Sequence, residues 1–162
     1  MSIATAIYKA PIVGKAVLPD AGEVSVIIQY NRRLYEGVAL LHPEDQDFFS
    51  EKVGTNIALS RARIEALEDA LIDLRTEAQI KAQMYLEVTR FGQEGDYTFF
   101  DPTDMFYQNQ RKAQERAESL SRTIKKEKLI LSKYLEGQAR ALESVKRFRA
   151  RQNETLEKDE ED

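Results

Sequence analysis

The sequence predicts an α+β chain: a small N-terminal antiparallel β-sheet, then a long antiparallel helical hairpin of coiled-coil character, assembled as an oligomer. Three observations carry this prediction. Heptads run almost without a break from Ser50 to about Arg151, and such a repeat buries one seam of a helix on another helix. The forty residues before them hold short β-branched runs separated by turn residues, with no helical period. Charged side chains make up 32% of the chain, above the roughly 25% of an average domain, as the solvated flanks of long helices require.

The sheet comes first. Pro11 to Leu18 and Glu23 to Tyr30 read as two strands, with Pro19-Asp20-Ala21-Gly22 as the turn between them. Leu34 to Leu41 is a third, reached through Asn31-Arg32-Arg33, where Asn tolerates the left-handed backbone of a short hairpin. Val24, Val26, Ile28 and Tyr30 share one face of the second strand. A three-stranded meander is too small to stand alone, so that face packs on the helices or on a neighbouring copy. Pro43 and the acids Glu44, Asp45 and Asp47 end the sheet in a loop, for which His42 is a loop or capping residue. Residues 1–49 form this first unit.

Residues 50–152 form the hairpin. Its first helix starts near Ser50 and runs to about Val88, its seam built from Ile57, Ile64, Leu71, Ala78 and Tyr85 with Leu67, Leu74 and Val88. Asp101 as N-cap, Pro102 in the first turn and Asp104 behind it open the second helix. Its seam is Ala117, Ile124, Leu131 and Val145, joined by Leu120, Tyr134, Ala141 and Phe148. Leu129, Ile130, Leu135 and Leu142 are left over, more apolar surface than one hairpin covers, and they predict self-association. Lys81, Glu127 and Gln138 interrupt the seams and set register. Residues 91–101 connect the helices, either as a loop or as a β-hairpin in which the alternating Tyr85, Glu87, Thr89 and Phe91 face Tyr97 to Phe100. Residues 153–162 are acidic and poor in apolar side chains, which predicts a disordered tail.

Charge is segregated. Residues 1–110 hold ten basic and seventeen acidic side chains, residues 111–152 thirteen and five, residues 153–162 one lysine and six acids. The basic helix could track a nucleic-acid backbone, but its cations read as spread over several faces and the acidic tail competes for them, so a nucleic-acid partner is not predicted. No cysteine is present, His42 is the single histidine, and no glycine-rich phosphate loop, zinc pattern or nucleophile motif occurs. The sequence therefore predicts no enzyme, no metal and no cofactor. No apolar run approaches a membrane span and no secretory leader pattern opens the chain, so the expectation is a cytoplasmic protein without a membrane partner.

The connection carries the candidate binding residues. Phe91, Tyr97, Phe99, Phe100, Phe106 and Tyr107 lie within seventeen positions, flanked by Arg90 and Arg111. Aromatic faces stack on bases and guanidinium forks hold phosphates. Tyr97, Phe99 and Phe100 are thus the candidates for stacking, and Arg90, Arg111 and Arg116 for phosphate. The bland alternative is an aromatic plug closing the end of the hairpin.

One stretch carries a resemblance. Gly37-Val38-Ala39-Leu40-Leu41-His42-Pro43-Glu44-Asp45, followed by Phe48, Gly54, Ala58 and Arg61-Ala62-Arg63, is similar to a pattern in small bacteriophage proteins, where an HPED-type turn separates a short sheet from a long helix. The whole architecture resembles the phage Thoeris anti-defence proteins. The resemblance covers residues 34–65 as a motif and the rest as architecture. It implies a counter-defence oligomer that sequesters a cyclic nucleotide signal in the host-cell cytoplasm without cleaving it. The alternatives are a module that blocks a host defence protein through its helical surface, or a nucleic-acid binder using the second helix.

Overall fold

The computed structural model describes residues 1–92 and 102–160. It has the predicted order, with one element added at the front: helix α1 (Ile3–Tyr8), strands β1 (Ile12–Leu18), β2 (Glu23–Tyr30) and β3 (Arg33–Leu40), then helices α2 (Glu51–Gly92) and α3 (Pro102–Glu160). Short 3-10 helices fill Pro19–Ala21 and Pro43–Phe48.

The sheet is an antiparallel meander in the order β1-β2-β3. Between β2 and β3 the turn is two residues, since Tyr30 pairs with Arg33. Asn31 and Arg32 both take positive φ, 49° and 64°, which matches the twist of the strands. The register places Val24, Val26 and Ile28 opposite Ala39, Gly37 and Tyr35, and this face is buried.

That face lies on α2. Alanines at a spacing of four (Ala58, Ala62, Ala66 and Ala70) are buried along the helix and let the sheet come close. Contact is closest at Gly37: a Cβ there would stand 1.8 Å from the carbonyl oxygen of Ala58 and 2.5 Å from the nitrogen of Ala62. At Gly54 a Cβ would lie 2.6 Å from Val24 Cγ2. Ion pairs and hydrogen bonds rim the contact. Arg33 reaches Asp69 at 2.6 Å, the Tyr35 hydroxyl donates to the same carboxylate at 2.6 Å, Lys15 meets Glu51 at 2.7 Å, and Arg61 donates to the carbonyl of Val38 at 2.5 Å.

Helix α1 was not expected, because six residues with a single anchor write no period. Ser2 caps it, accepting from the Thr5 amide at 3.1 Å, and Ile7 is fully buried. Arg63 of α2 holds its C-terminal end, donating to the Tyr8 carbonyl at 3.1 Å with the guanidinium 5.3 Å from the ring centre.

Helix α2 starts where expected, with the Ser50 hydroxyl accepting from the Val53 amide at 3.3 Å. It continues to Gly92 rather than ending near Val88, so Tyr85, Glu87 and Thr89 are helical and the strand reading of that arm is corrected. A helix already formed from Glu51 propagates through this short alternation at little further cost, and Tyr85 packs its ring on Tyr107. The other arm of that hairpin, Tyr97 to Phe100, lies outside the described residues. Helix α3 runs antiparallel along α2, as the contacts Tyr85–Tyr107, Glu77–Arg116, Glu68–Lys128 and Asp45–Lys146 show in turn. Leu67, Leu71 and Leu74, with Ala117, Leu120 and Ile124, extend the buried cluster between the two helices. Helix α3 is 59 residues long against 42 for α2, and it passes the start of α2 into the acidic segment expected to be disordered. Residues 153–160 contain no Gly or Pro and mostly strong helix formers, so nothing there stops the helix.

Two measurements test the sheet–helix contact. Gly37→Ala drives a methyl into backbone atoms that no rotamer change can move, and is expected to cost about 3 kcal/mol or more in denaturant unfolding; a stability within error of the parent contradicts the contact. The second uses pH. The hydrogen bond from Tyr35, and next that from Arg33, hold the Asp69 carboxyl below its ordinary value of 3.8, while burial and Asp69 push the Tyr35 hydroxyl up to about 12. A lowered carboxyl stabilises the fold above the ordinary carboxylate range and loses that stabilisation as pH falls through its folded value. Asp69→Asn is therefore expected to melt below the parent at neutral pH, with the gap closing at pH below 3.8; a constant gap over that range is the contrary result.

Candidate functional site

The predicted residues fall into two groups. Tyr97, Phe99 and Phe100 lie outside the described residues. Arg90 is exposed in the last turn of α2. Arg111 is exposed on α3 and pairs with Glu115, one turn on, at 2.9 Å. Arg116 lies 3.9 Å from Glu77 of α2, a carboxylate that also takes Lys81 at 2.5 Å and whose pKa is lowered chiefly by that lysine. Five residues of α-helix put Arg111 and Arg116 about 140° apart around the axis, so the two point to different sides, each with a carboxylate of its own. Near the same end, the Tyr85 and Tyr107 rings meet with centroids 5.6 Å apart and planes at 56°, a tilted aromatic contact.

At the opposite end, the sheet, the 3-10 helix Pro43–Phe48, the first turns of α2 and residues 135–149 of α3 enclose an apolar cleft of about 510 Å³. Leu41, Phe48, Phe49, Val53, Ile57, Leu135 and Leu142 wall it, and Asp47, Gln138 and Arg149 supply its polar groups. His42 caps the 3-10 helix, its Nδ1 accepting from the Glu44 amide at 3.4 Å, as expected of it. Lys146 pins α3 to this turn: its ammonium stands 2.5 Å from Asp45 Oδ1, off the hydrogen-bonding direction, and its pKa is raised by that carboxylate. One turn later the Arg149 guanidinium lies 4.6 Å from the Phe48 ring centre. The cleft can take an apolar group, but it assembles no acid–base pair. Among the described residues no three His, Cys, Asp or Glu side chains converge to hold a metal, and no helix is long and apolar enough to cross a membrane.

The outward side of α3 holds what the sequence misplaced. Tyr134, Ala141 and Phe148 were expected in a buried seam, packed on α2 or on another copy of the chain. Instead Tyr134 is half-buried and Ala141 and Phe148 are exposed, Phe148 at 61%. An α-helix turns every 3.6 residues, so a strict seven-residue repeat drifts around a straight helix by about 20° per heptad. By the third heptad, Leu135 and Leu142 have replaced that row on the inner side, where they wall the cleft. Of the displaced row, Tyr134 is half-buried, Ala141 stands at the lip of the cleft, and Phe148 is on the surface with Ile130, which is 50% exposed. Beside this row run Lys126, Lys133, Arg140 and Arg147, every seventh residue, all exposed. The ion pairs that α3 makes among the described residues use Arg111, Arg116, Lys128 and Lys146, and leave this row out. These four cations are thus ordered along one edge, while the other cations of α3 lie on several faces, as the sequence suggested. Their heptad spacing was the signal that could have found them.

No protein-family model, curated protein or solved structure matches the chain.

Proposed function

We propose that this protein is a non-catalytic interaction module that engages another protein through the surface of its helical hairpin. The observation that carries the reading is the heptad row of α3 around Tyr134, Ala141 and Phe148, on a stretch of helix held in place by Glu68–Lys128 before it and Asp45–Lys146 near its end. A rigid helix with an uncovered apolar seam is a ready docking face. Self-association belongs to the same proposal, through Ile72, level with the end of the sheet, and Ile80 and Leu86 further along α2, which are 57–61% exposed.

Site-specific photo-cross-linking in the native cells tests both parts. A photoreactive residue in place of Phe148 is expected to give one discrete adduct with another protein, one in place of Ile80 an adduct of two copies, and one in place of exposed Glu118 neither. Equal labelling at all three positions, or no adduct at Phe148, removes the reading.

A second reading, a phage counter-defence protein that sequesters a cyclic nucleotide in the host cytoplasm, is favoured by the Tyr85–Tyr107 ring pair at the end of the hairpin where Arg90, Arg111 and Arg116 lie. Under it, native mass spectrometry of the protein exposed to a nucleotide extract finds a retained small nucleotide. Phe99→Ala then weakens retention by about ten- to a hundredfold, the loss of one stacking contact of about 1–3 kcal/mol, and Arg111→Ala weakens it also. A parent that retains nothing removes this reading.

A further inference from the structure

We infer that the outward seam of α3 pairs with an acidic amphipathic helix of another protein. The inference deepens the interaction reading above and rests on it.

The seam has the geometry of half a coiled coil. Ile130, Tyr134, Gly137, Ala141, Ser144 and Phe148 follow one another at alternating steps of four and three, and none is charged. They span nineteen residues of continuous helix, about 27 Å from first to last at 1.5 Å per residue, enough for two to three heptads of partner. All but the half-buried Tyr134 are exposed. Gly137 sits mid-seam, and a Cβ built there meets no atom within 4 Å. Packing within the chain therefore gives no reason for a glycine, which weakens a helix interior by about 1 kcal/mol relative to alanine. A second backbone approaching the seam does give one.

Charge selects the partner. In heptad terms Lys126, Lys133, Arg140 and Arg147 occupy the position just before Tyr134, Ala141 and Phe148 and their equivalents, the edge at which coiled coils place the ion pairs that choose partner and orientation. The opposite edge is Leu131, Gln138 and Val145, which carry no charge and of which the last two also line the cleft. A second copy cannot satisfy this edge. Packed parallel, it would offer the neutral edge to the cations; packed antiparallel, it would set cation against cation. The acids of the C-terminal segment do not fold back over the row, because α3 continues as helix to Glu160, and among the described residues Glu136 and Glu143, one turn before Arg140 and Arg147, form no ion pair with them. The row changes sign one heptad further on, at Glu154, which bounds the docking stretch. A nucleic acid fits less well: phosphates would meet cations on one edge only, across an uncharged strip bearing Ile130 and Phe148.

The test uses the full chain and two labelled synthetic probes, four-heptad peptides with leucine and alanine in the core, one with glutamate and one with lysine on both edges, alongside a DNA duplex of about 20 base pairs. The glutamate peptide is expected to bind at least about tenfold tighter than the lysine peptide, more weakly at high salt, and tighter than the duplex. Joint Lys133→Glu, Arg140→Glu and Arg147→Glu substitution should reverse the peptide preference with an unchanged thermal midpoint, since the three are exposed and none takes part in an ion pair among the described residues. Gly137→Gln, which has open space in the chain, should keep the fold and weaken the glutamate peptide by about fivefold or more. Binding of neither peptide, equal binding of both, or tighter binding of the duplex overturns the inference. The cross-link at Phe148 is read independently, so an adduct found alongside any of these results keeps the interaction reading and removes only the acidic helix.

Discussion

The contact of Gly37 with the backbone of α2 is the constraint around which this protein is built. A strand and a helix that approach until a carbonyl oxygen fills the place of a Cβ leave room only for small residues. The helix supplies them as Ala58, Ala62, Ala66 and Ala70. Dispersion falls steeply with distance, so so short an approach gathers many atom pairs at full strength over a small area. It explains how three short strands, too few to form a core of their own, hold a fixed position on a helix of 42 residues.

The polar rim around this contact sets register rather than adding much energy. Arg33, Tyr35 and Asp69 join one end of the sheet to the middle of α2, and Lys15 with Glu51 joins the other to its first turn. With the sheet on one side, α2 has only its leucine side left for α3. From there the path of α3 is decided: it packs at Ala117, Leu120 and Ile124, is pinned again at Lys146 and Arg149, and turns its heptad row away from the hairpin. The exposed seam is thus a consequence of where the sheet sits.

The three strands, both turns, the Ser50 start and the pairing of the two helices were legible in the sequence, because each is written by local chemistry: alternation in β2, left-handed Asn31, capping by Ser50 and His42. The alanine side of α2 was not, since alanine is common on every side of a helix and only the presence of Gly37 opposite gives it meaning. Helix α1 was hidden because Ile7 is its single buried anchor. The position of Tyr134, Ala141 and Phe148 was misread for a geometric reason, a repeat of 3.5 laid on a helix of 3.6. Of the candidate nucleotide site, Arg90, Arg111 and Arg116 are placed, and they do not converge within one chain. The basic edge of α3 was present in the spacing of Lys126, Lys133, Arg140 and Arg147, but the other cations of the helix masked it.

That basic edge takes no part in holding the molecule together. Its four side chains are exposed and close no ion pair among the described residues, while the joint between sheet and helix is made of backbone and methyl groups. Structure and recognition are therefore written in separate residues. Such a chain can change its surface charges over generations at little cost to folding, following a partner that drifts or acquiring a new one, while Gly37 and the alanines beneath it hold still.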